Sequence, residues 1–250
     1  MRQFRLLTAV GSIAFLVSLV ALLPARVAFA LFRVPATAVT GVSGTLWHGE
    51  GQRVTVANLT LGPVRWEAKP ARLLLGQLAA DVGATLPDGF LNATVGLSVT
   101  GKVVIGALEA AAPLGWLAPA LGGAGSQLTA RFDRLVIHGG HVESAIGAVQ
   151  VAGVVLPIPT TGPKVGPGAY EVSFAADGLK PDMPLKAALK DRGGPLEIVG
   201  TVTITPPRSY EVTGTAKARP DAPSELRSAL QMLGPATPDG GHALSLAGSF

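Results

Sequence analysis

Beyond residue 35 the chain repeatedly places an apolar residue at every second position. In SQLTARFDRLVIH, Leu128, Ala130 and Phe132 alternate with Thr129, Arg131 and Asp133. AYEVSFAAD repeats the scheme with Tyr170, Val172 and Phe174. PLEIVGTVTITP carries Leu196, Ile198, Gly200, Val202 and Ile204, and RSYEVTGTAKAR carries Tyr210, Val212, Gly214 and Ala216. Successive side chains of a strand point to opposite faces, whereas a helix needs a stripe of period 3.6. Each segment therefore predicts a strand with one buried and one solvated face.

What lies between these segments suits an antiparallel meander. Glycine (32) and proline (20) are abundant and charged residues make up only 14%. Such a mix favours many short strands joined by turns. The 48% of hydrophobic residues suffice for the core of one ordinary domain or two small ones. From Leu59 to Thr100 two or three further strands are expected, separated by Gly-Pro and Pro-Asp-Gly turns. A recurring G-x-L/V rhythm suggests structural repetition, but no period is strict enough for a solenoid. Residues 107–123, ALEAAAPLGWLAPALGG, predict one or two short helical turns limited by Pro113 and Pro119, or an apolar lid. Residues 221–234 predict a firmer helix, with Asp221 or Ser224 capping it. Leu226, Leu230 and Leu233 lie on one face, and Gly234-Pro235 stops it. That helix is expected to cover one end of the sheet. The terminal HALSLAGSF alternates through Leu244 and Leu246 to Phe250. A terminal strand ending in phenylalanine is also found on outer-membrane barrels, but a 20-residue apolar helix and irregular strands argue against one.

The amino-terminal run 6–25, LLTAVGSIAFLVSLVALLPA, carries no charge. As a helix it would be roughly 30 Å long, the thickness of a hydrocarbon core. Residues 1–5 would stay cytoplasmic, residues 26–35 would form a juxtamembrane linker, and residues 36–250 would be exported. The rival reading is a cleaved signal peptide, since Ala28-Phe29-Ala30 has the small-x-small form a signal peptidase accepts. The apolar run exceeds the length usual for a signal, and Phe29, Leu31 and Phe32 resemble an interfacial collar. A retained single-pass anchor is the expectation.

Motifs for chemistry are scarce. With no cysteine, there is no disulfide framework, thiolate metal site or cysteine nucleophile. No H-E-x-x-H, G-x-S-x-G or S-x-x-K occurs. His138-Gly139-Gly140-His141 reads as a solvated hairpin turn rather than a metal site, with no acidic partner in a recognised ligand spacing. GPKVGPG, 162–168, is glycine-rich with a lysine, but Pro163 and Pro167 remove backbone donors that a phosphate cradle needs. The pI near 9.7 reflects a net charge of only +4 from scattered basic residues, so no nucleic-acid partner is expected. Carboxylates are few and mostly on polar strand faces. No enzyme activity, cofactor or metal is expected.

One short stretch stands out in a chain this poor in aromatics. SGTLWHGEG, 43–51, places Leu46 and Trp47 on a predicted strand that enters a glycine turn. The segment GPVRWEAKPARLLLGQLAADV brings Trp66 about twenty residues later. With the short basic start, the apolar helix ending LLPA and the terminal LGPATPDGGHALSLAGSF, these pieces resemble the N component of the bacterial type II (general) secretion pathway over nearly the whole chain. The resemblance implies an inner-membrane protein with one amino-terminal helix and a periplasmic antiparallel β-sheet body, curved or rolled, with one or two short helices. It implies contacts with the inner-membrane platform, the outer-membrane secretin, or both, and no enzymatic activity. Trp47, Trp66, Gly44, Gly49 and Phe250 are the candidate structural or interaction residues, Trp47 being expected to pack on the first strand opposite Trp66. A second reading stays open. An anchored sheet with one apolar face also resembles AsmA-like modules that carry lipids between membranes, if that face is left open.

Overall fold

The structure is a computed structural model and describes residue 18 and residues 22–31, 39–56, 59–86, 88–117, 122–154, 168–206, 209–232 and 234–249. After helix α1 (Ala25–Leu31) come β1 (Val39–Thr40), β2 (Ser43–Gly44), β3 (His48–Gly51), β4 (Arg53–Val56), β5 (Leu59–Leu61) and β6 (Val64–Ala68). A 3-10 turn (Pro70–Leu75) leads to β7 (Gln77–Leu86), β8 (Gly89–Ser98) and β9 (Val103–Pro113). Helix α2 (Leu114–Leu117) precedes β10 (Gly122–His138), β11 (His141–Val154), β12 (Gly168–Ala176), β13 (Leu185–Gly193), β14 (Leu196–Thr205) and β15 (Ser209–Ala218). Helix α3 (Ser224–Gln231) and β16 (His242–Ser249) follow.

Thirteen of these strands form one antiparallel sheet in the order β16-β15-β14-β13-β12-β11-β10-β9-β8-β7-β6-β3-β2. From β6 onward every strand pairs with the next one in sequence, the meander that the turn spacing predicts. A small side sheet, β1-β4-β5, joins β1, which precedes β2 in the chain, to β4 and β5, which lie between β3 and β6. The outer strands β2 and β16 do not pair with each other, so the sheet is open and not a closed barrel.

The register explains why the sheet is stable. Leu196, Ile198, Val202 and Ile204 lie opposite Ala218, Ala216, Val212 and Tyr210, and Val212 in turn lies opposite Leu246. Pairing therefore keeps the apolar positions of neighbouring strands on a common face; a slip of one residue would turn them all to the other side. Three buried clusters sit on this framework. Phe132, Ala145 and Leu185 form one, with the Phe132 and Phe174 rings 5.5 Å apart. Leu114, Val154 and Tyr170 form the second, and Leu196, Ala216, Ala222, Leu226 and Leu230 the third.

Three expectations need correction. Residues 107–113 belong to the central strand β9 instead of a helix, since Ala110 pairs with Leu91 on one side and Ala130 on the other. Two ladders outweigh the helix propensity of alanine and leucine. The helix there is confined to α2, whose Leu114 is buried; 118–121 lie outside the described residues. Helix α3 does cover the β14–β15 end, through Leu226 and Leu230, but neither Asp221 nor Ser224 caps it. The cap position is Pro223, with no side-chain bond, and Ser224 Oγ turns to Glu225 Oε2 at 3.1 Å. Leu233 and Phe250 are outside the described residues. Third, the segment from Leu59 to Thr100 holds four strands, not two or three, because the Gly62-Pro63 break gives a strand on either side.

Most of the run 6–25, and residues 162–167 of the glycine-rich loop, also fall outside the described residues. Among the described residues no helix is long and apolar enough to cross a membrane.

Candidate functional site

The SGTLWHGEG stretch folds differently from the strand-into-turn reading. Strand β2 ends at Gly44 and β3 begins at His48, so Leu46 and Trp47 occupy the turn itself. Thr45 drives this reversal locally: its N–H donates to His48 O at 2.8 Å, while its hydroxyl accepts from the His48 N–H at 3.1 Å. A threonine hydroxyl that satisfies backbone groups offers the chain an alternative to continuing the ladder.

Both glycines are fixed by close approach. Gly44 has φ 86°, and a Cβ there would lie 2.4 Å from His48 O. Gly49 faces Trp66 directly across β3–β6; a Cβ on it would come within 2.3 Å of Trp66 Cζ2 and 2.7 Å of Ser43 O. The Trp66 ring thus lies over Gly49, and its Nε1–H donates to Leu46 O at 3.2 Å. Trp66 braces the turn from the neighbouring strand. The half-buried Trp47 takes part through its carbonyl, which accepts from the Ala68 N–H at 2.7 Å.

The same turn holds the amino-terminal segment. Leu46 N–H donates to Leu23 O at 2.9 Å, Thr45 bridges Pro24, and Arg26 Nε donates to Val42 O at 2.7 Å. Ala25 is fully buried at this junction. Residues 23–26 are strapped to the first strands by three backbone-directed contacts, which no local pattern of residues signals.

Around the turn lies a shallow groove of about 660 Å³, lined by Ser43, Glu50, Arg65, Trp66, Glu67 and Asp81 among others. Its ion pairs, His48–Glu67 at 3.5 Å and Arg65–Glu50 at 3.7 Å, are well exposed and contribute little energy. Lys69 Nζ, 2.7 Å from Asp81 Oδ1, holds that carboxyl below its ordinary range, helped by the Thr94 hydroxyl. Elsewhere the Glu171 carboxyl is lowered first by Arg192, then by Gln150 and Ser173. Burial pushes the Tyr170 hydroxyl up to about 12, and the Asp191 charge adds to this. Each displacement has a structural partner that accounts for it.

At the far side of the sheet, β16 presents an outer edge that is free from Ala243 onward among the described residues; only the Ala236–His242 bridge covers its start. The strand HALSLAGS contains no lysine, no carboxylate and no proline. Natural proteins usually guard such an edge with charge, proline, a bulge or a cover. One group of side chains also has the atoms to hold a metal ion, His138, His141 and Glu143. Although no acidic residue stands in a recognised ligand spacing from these histidines, the hairpin brings Glu143 beside both rings.

These features define a class: a mainly β protein built on one open, meandering sheet, with an amino-terminal strap at one edge and an unguarded strand at the other. A family model described as Type II secretion system (T2SS), protein N matches residues 35–245, and the chain belongs to that family. It is 27% identical to the type II secretion system protein N of Aeromonas hydrophila, over 96% of this chain and 95% of that one. It is 39% identical over 72 residues to the type II secretion system protein N of Vibrio cholerae serotype O1 (strain ATCC 39315 / El Tor Inaba N16961), covering 28% of this chain and 29% of the relative. No solved structure matches.

Proposed function

We propose that the chain is a non-enzymatic accessory component of the type II secretion system. In this reading residues 6–25 span the inner membrane with the amino terminus cytoplasmic. The sheet works in the periplasm and aids export of folded proteins across the outer membrane. Its partner, a platform protein or the secretin, docks one extended strand along the free edge of β16. Family membership over residues 35–245 supports the setting. The observation that carries the docking mode is the charge-free, proline-free edge from Ala243 to Ser249, since backbone groups left unpaired there are a template for strand addition. The strap on residues 23–26 would hold the sheet close to the membrane, keeping the edge at a defined height.

A photoreactive residue at Ser245, with a second at Thr45 for comparison, tests this in the native envelope. Adducts of Ser245 with platform or secretin proteins are the expected result. Adducts only at Thr45 would refute docking on β16. Phospholipid or lipopolysaccharide adducts without secretion proteins would favour lipid handling. That second reading draws on Leu78 and Leu97, a cross-strand pair on β7 and β8, and on Leu246 of β16, each about half exposed. Absence of lipid from gently extracted protein would remove it.

A further inference from the structure

The β10–β11 hairpin brings together three side chains whose joint purpose the secretion role does not explain. Gly139 and Gly140, at φ 57° and 80°, form the two-residue turn. Successive positive φ values set the tight reversal that makes His138 and His141 a cross-strand pair. Glu143 follows His141 by two residues and so shares its face. The result is a cluster with His138 Nδ1 2.9 Å and His141 Nε2 4.0 Å from the same carboxylate oxygen, Glu143 Oε1. All candidate ligand atoms lie within 4.8 Å of one another.

Two further observations bear on what this cluster can do. The histidine rings are partly covered, with side-chain exposures of 37% and 17%, and that of Glu143 is 21%. Lys102 Nζ sits 2.7 Å from the other oxygen, Oε2. It orients the carboxylate from outside while leaving Oε1 turned toward the imidazoles. The backbone is pinned as well, since Glu143 O accepts from the Leu179 N–H at 2.8 Å.

We propose that His138, His141 and Glu143 bind one divalent transition-metal ion of the zinc class, through Nδ1, Nε2 and Oε1. Two imidazoles and a carboxylate suit zinc, and three protein ligands leave a position for water or a partner's side chain. Tetrahedral zinc separates its ligand atoms by about 3.3 Å. The observed 2.9 and 4.0 Å bracket that value and no pair of ligand atoms is more than 4.8 Å apart, so relative side-chain shifts of at most about 1.5 Å assemble the site. Binding displaces any proton held between His138 Nδ1 and Glu143 Oε1, as metal ligation requires free lone pairs.

The test uses the full chain without a polyhistidine tag, titrated with cobalt(II) as a spectroscopic stand-in and then with zinc(II). The expected result is one equivalent of cobalt giving tetrahedral visible bands that one equivalent of zinc erases. His141→Asn and, separately, Glu143→Gln should weaken binding at least tenfold while circular dichroism stays that of the parent chain. His138→Asn provides a third variant should either fail to fold. His48→Asn, on an exposed histidine elsewhere, should leave the titration unchanged. No stoichiometric binding, or equal binding by the parent and all folded cluster variants, would overturn the proposal.

Discussion

Gly49→Ala puts the brace between β3 and β6 to a quantitative test. The new methyl would arrive 2.3 Å from Trp66 Cζ2 and 2.7 Å from Ser43 O. A normal contact needs about 3.4 Å or more, so the ring must retreat by roughly 1 Å. The Ser43 oxygen belongs to the backbone of β2, so the hairpin itself must open. Overpacking of this kind costs about 1–3 kcal/mol; two clashes, one of them with backbone, place the expected loss near the top, at about 2–3 kcal/mol. Trp66→Ala alone should cost about 2 kcal/mol, less than a fully buried ring, since Trp66 is only half-buried. In the double variant the ring clash is gone, so the two costs should fall short of additive by about 1–2 kcal/mol. Gly106→Ala is the control: its Cβ would find nothing nearer than Asp133 O at 3.7 Å, and a change within about 0.5 kcal/mol is expected. Urea unfolding followed by circular dichroism and by tryptophan fluorescence measures all four. A Gly49→Ala chain as stable as the Gly106→Ala control, or strict additivity with Trp66→Ala, would refute the brace.

Further outcomes follow from other contacts. Leu226→Ala, at a residue 4% exposed on the buried face of α3, should cost about 2–4 kcal/mol in urea unfolding. The lowered Glu171 carboxyl contributes stability that is complete above the ordinary carboxylate range and lost as pH falls through its lowered value. The stability gap between the parent and Glu171→Gln should therefore narrow from pH 7 to pH 3; a constant gap counts against the Arg192–Glu171 pair as its source. Along β16 adjacent N–H groups point to opposite sides. Of Ser245→Pro and Leu246→Pro, one should cost a ladder bond to β15, while the other spares stability yet lowers secretion. Normal secretion from both would argue against edge docking.

The parts of the fold that read clearly from sequence are those where one local rule decides the outcome. Strict alternation in 195–206 and 209–218 fixed both strand existence and face, because pairing two such strands out of register would expose Leu196 and Ile198 together. Residues 107–113 do not read as a strand because alanine and leucine carry little intrinsic preference for one; β9 exists because β8 and β10 supply partners on both sides. The bulk of Trp47 favours a strand, whereas the hydroxyl of Thr45 settles the turn. The partnership of His138, His141 and Glu143 depends on hairpin register, and the link from Leu46 to Leu23 on a contact 23 residues apart, neither of which is carried by spacing alone.

The sequential strand order has a consequence for how such a sheet is made. From β7 onward each strand finds its partner in the one before it, so a chain delivered amino-terminus first can add strands one at a time, without waiting for a distant segment. Stability then accrues by nearest-neighbour steps, as in repeat architectures. Every intermediate carries an unsatisfied growing edge, first β7, then β8, and onward. The exposed rim of β16 is the final position of a hazard that travels with the growing sheet, and a partner strand laid on it would end the series.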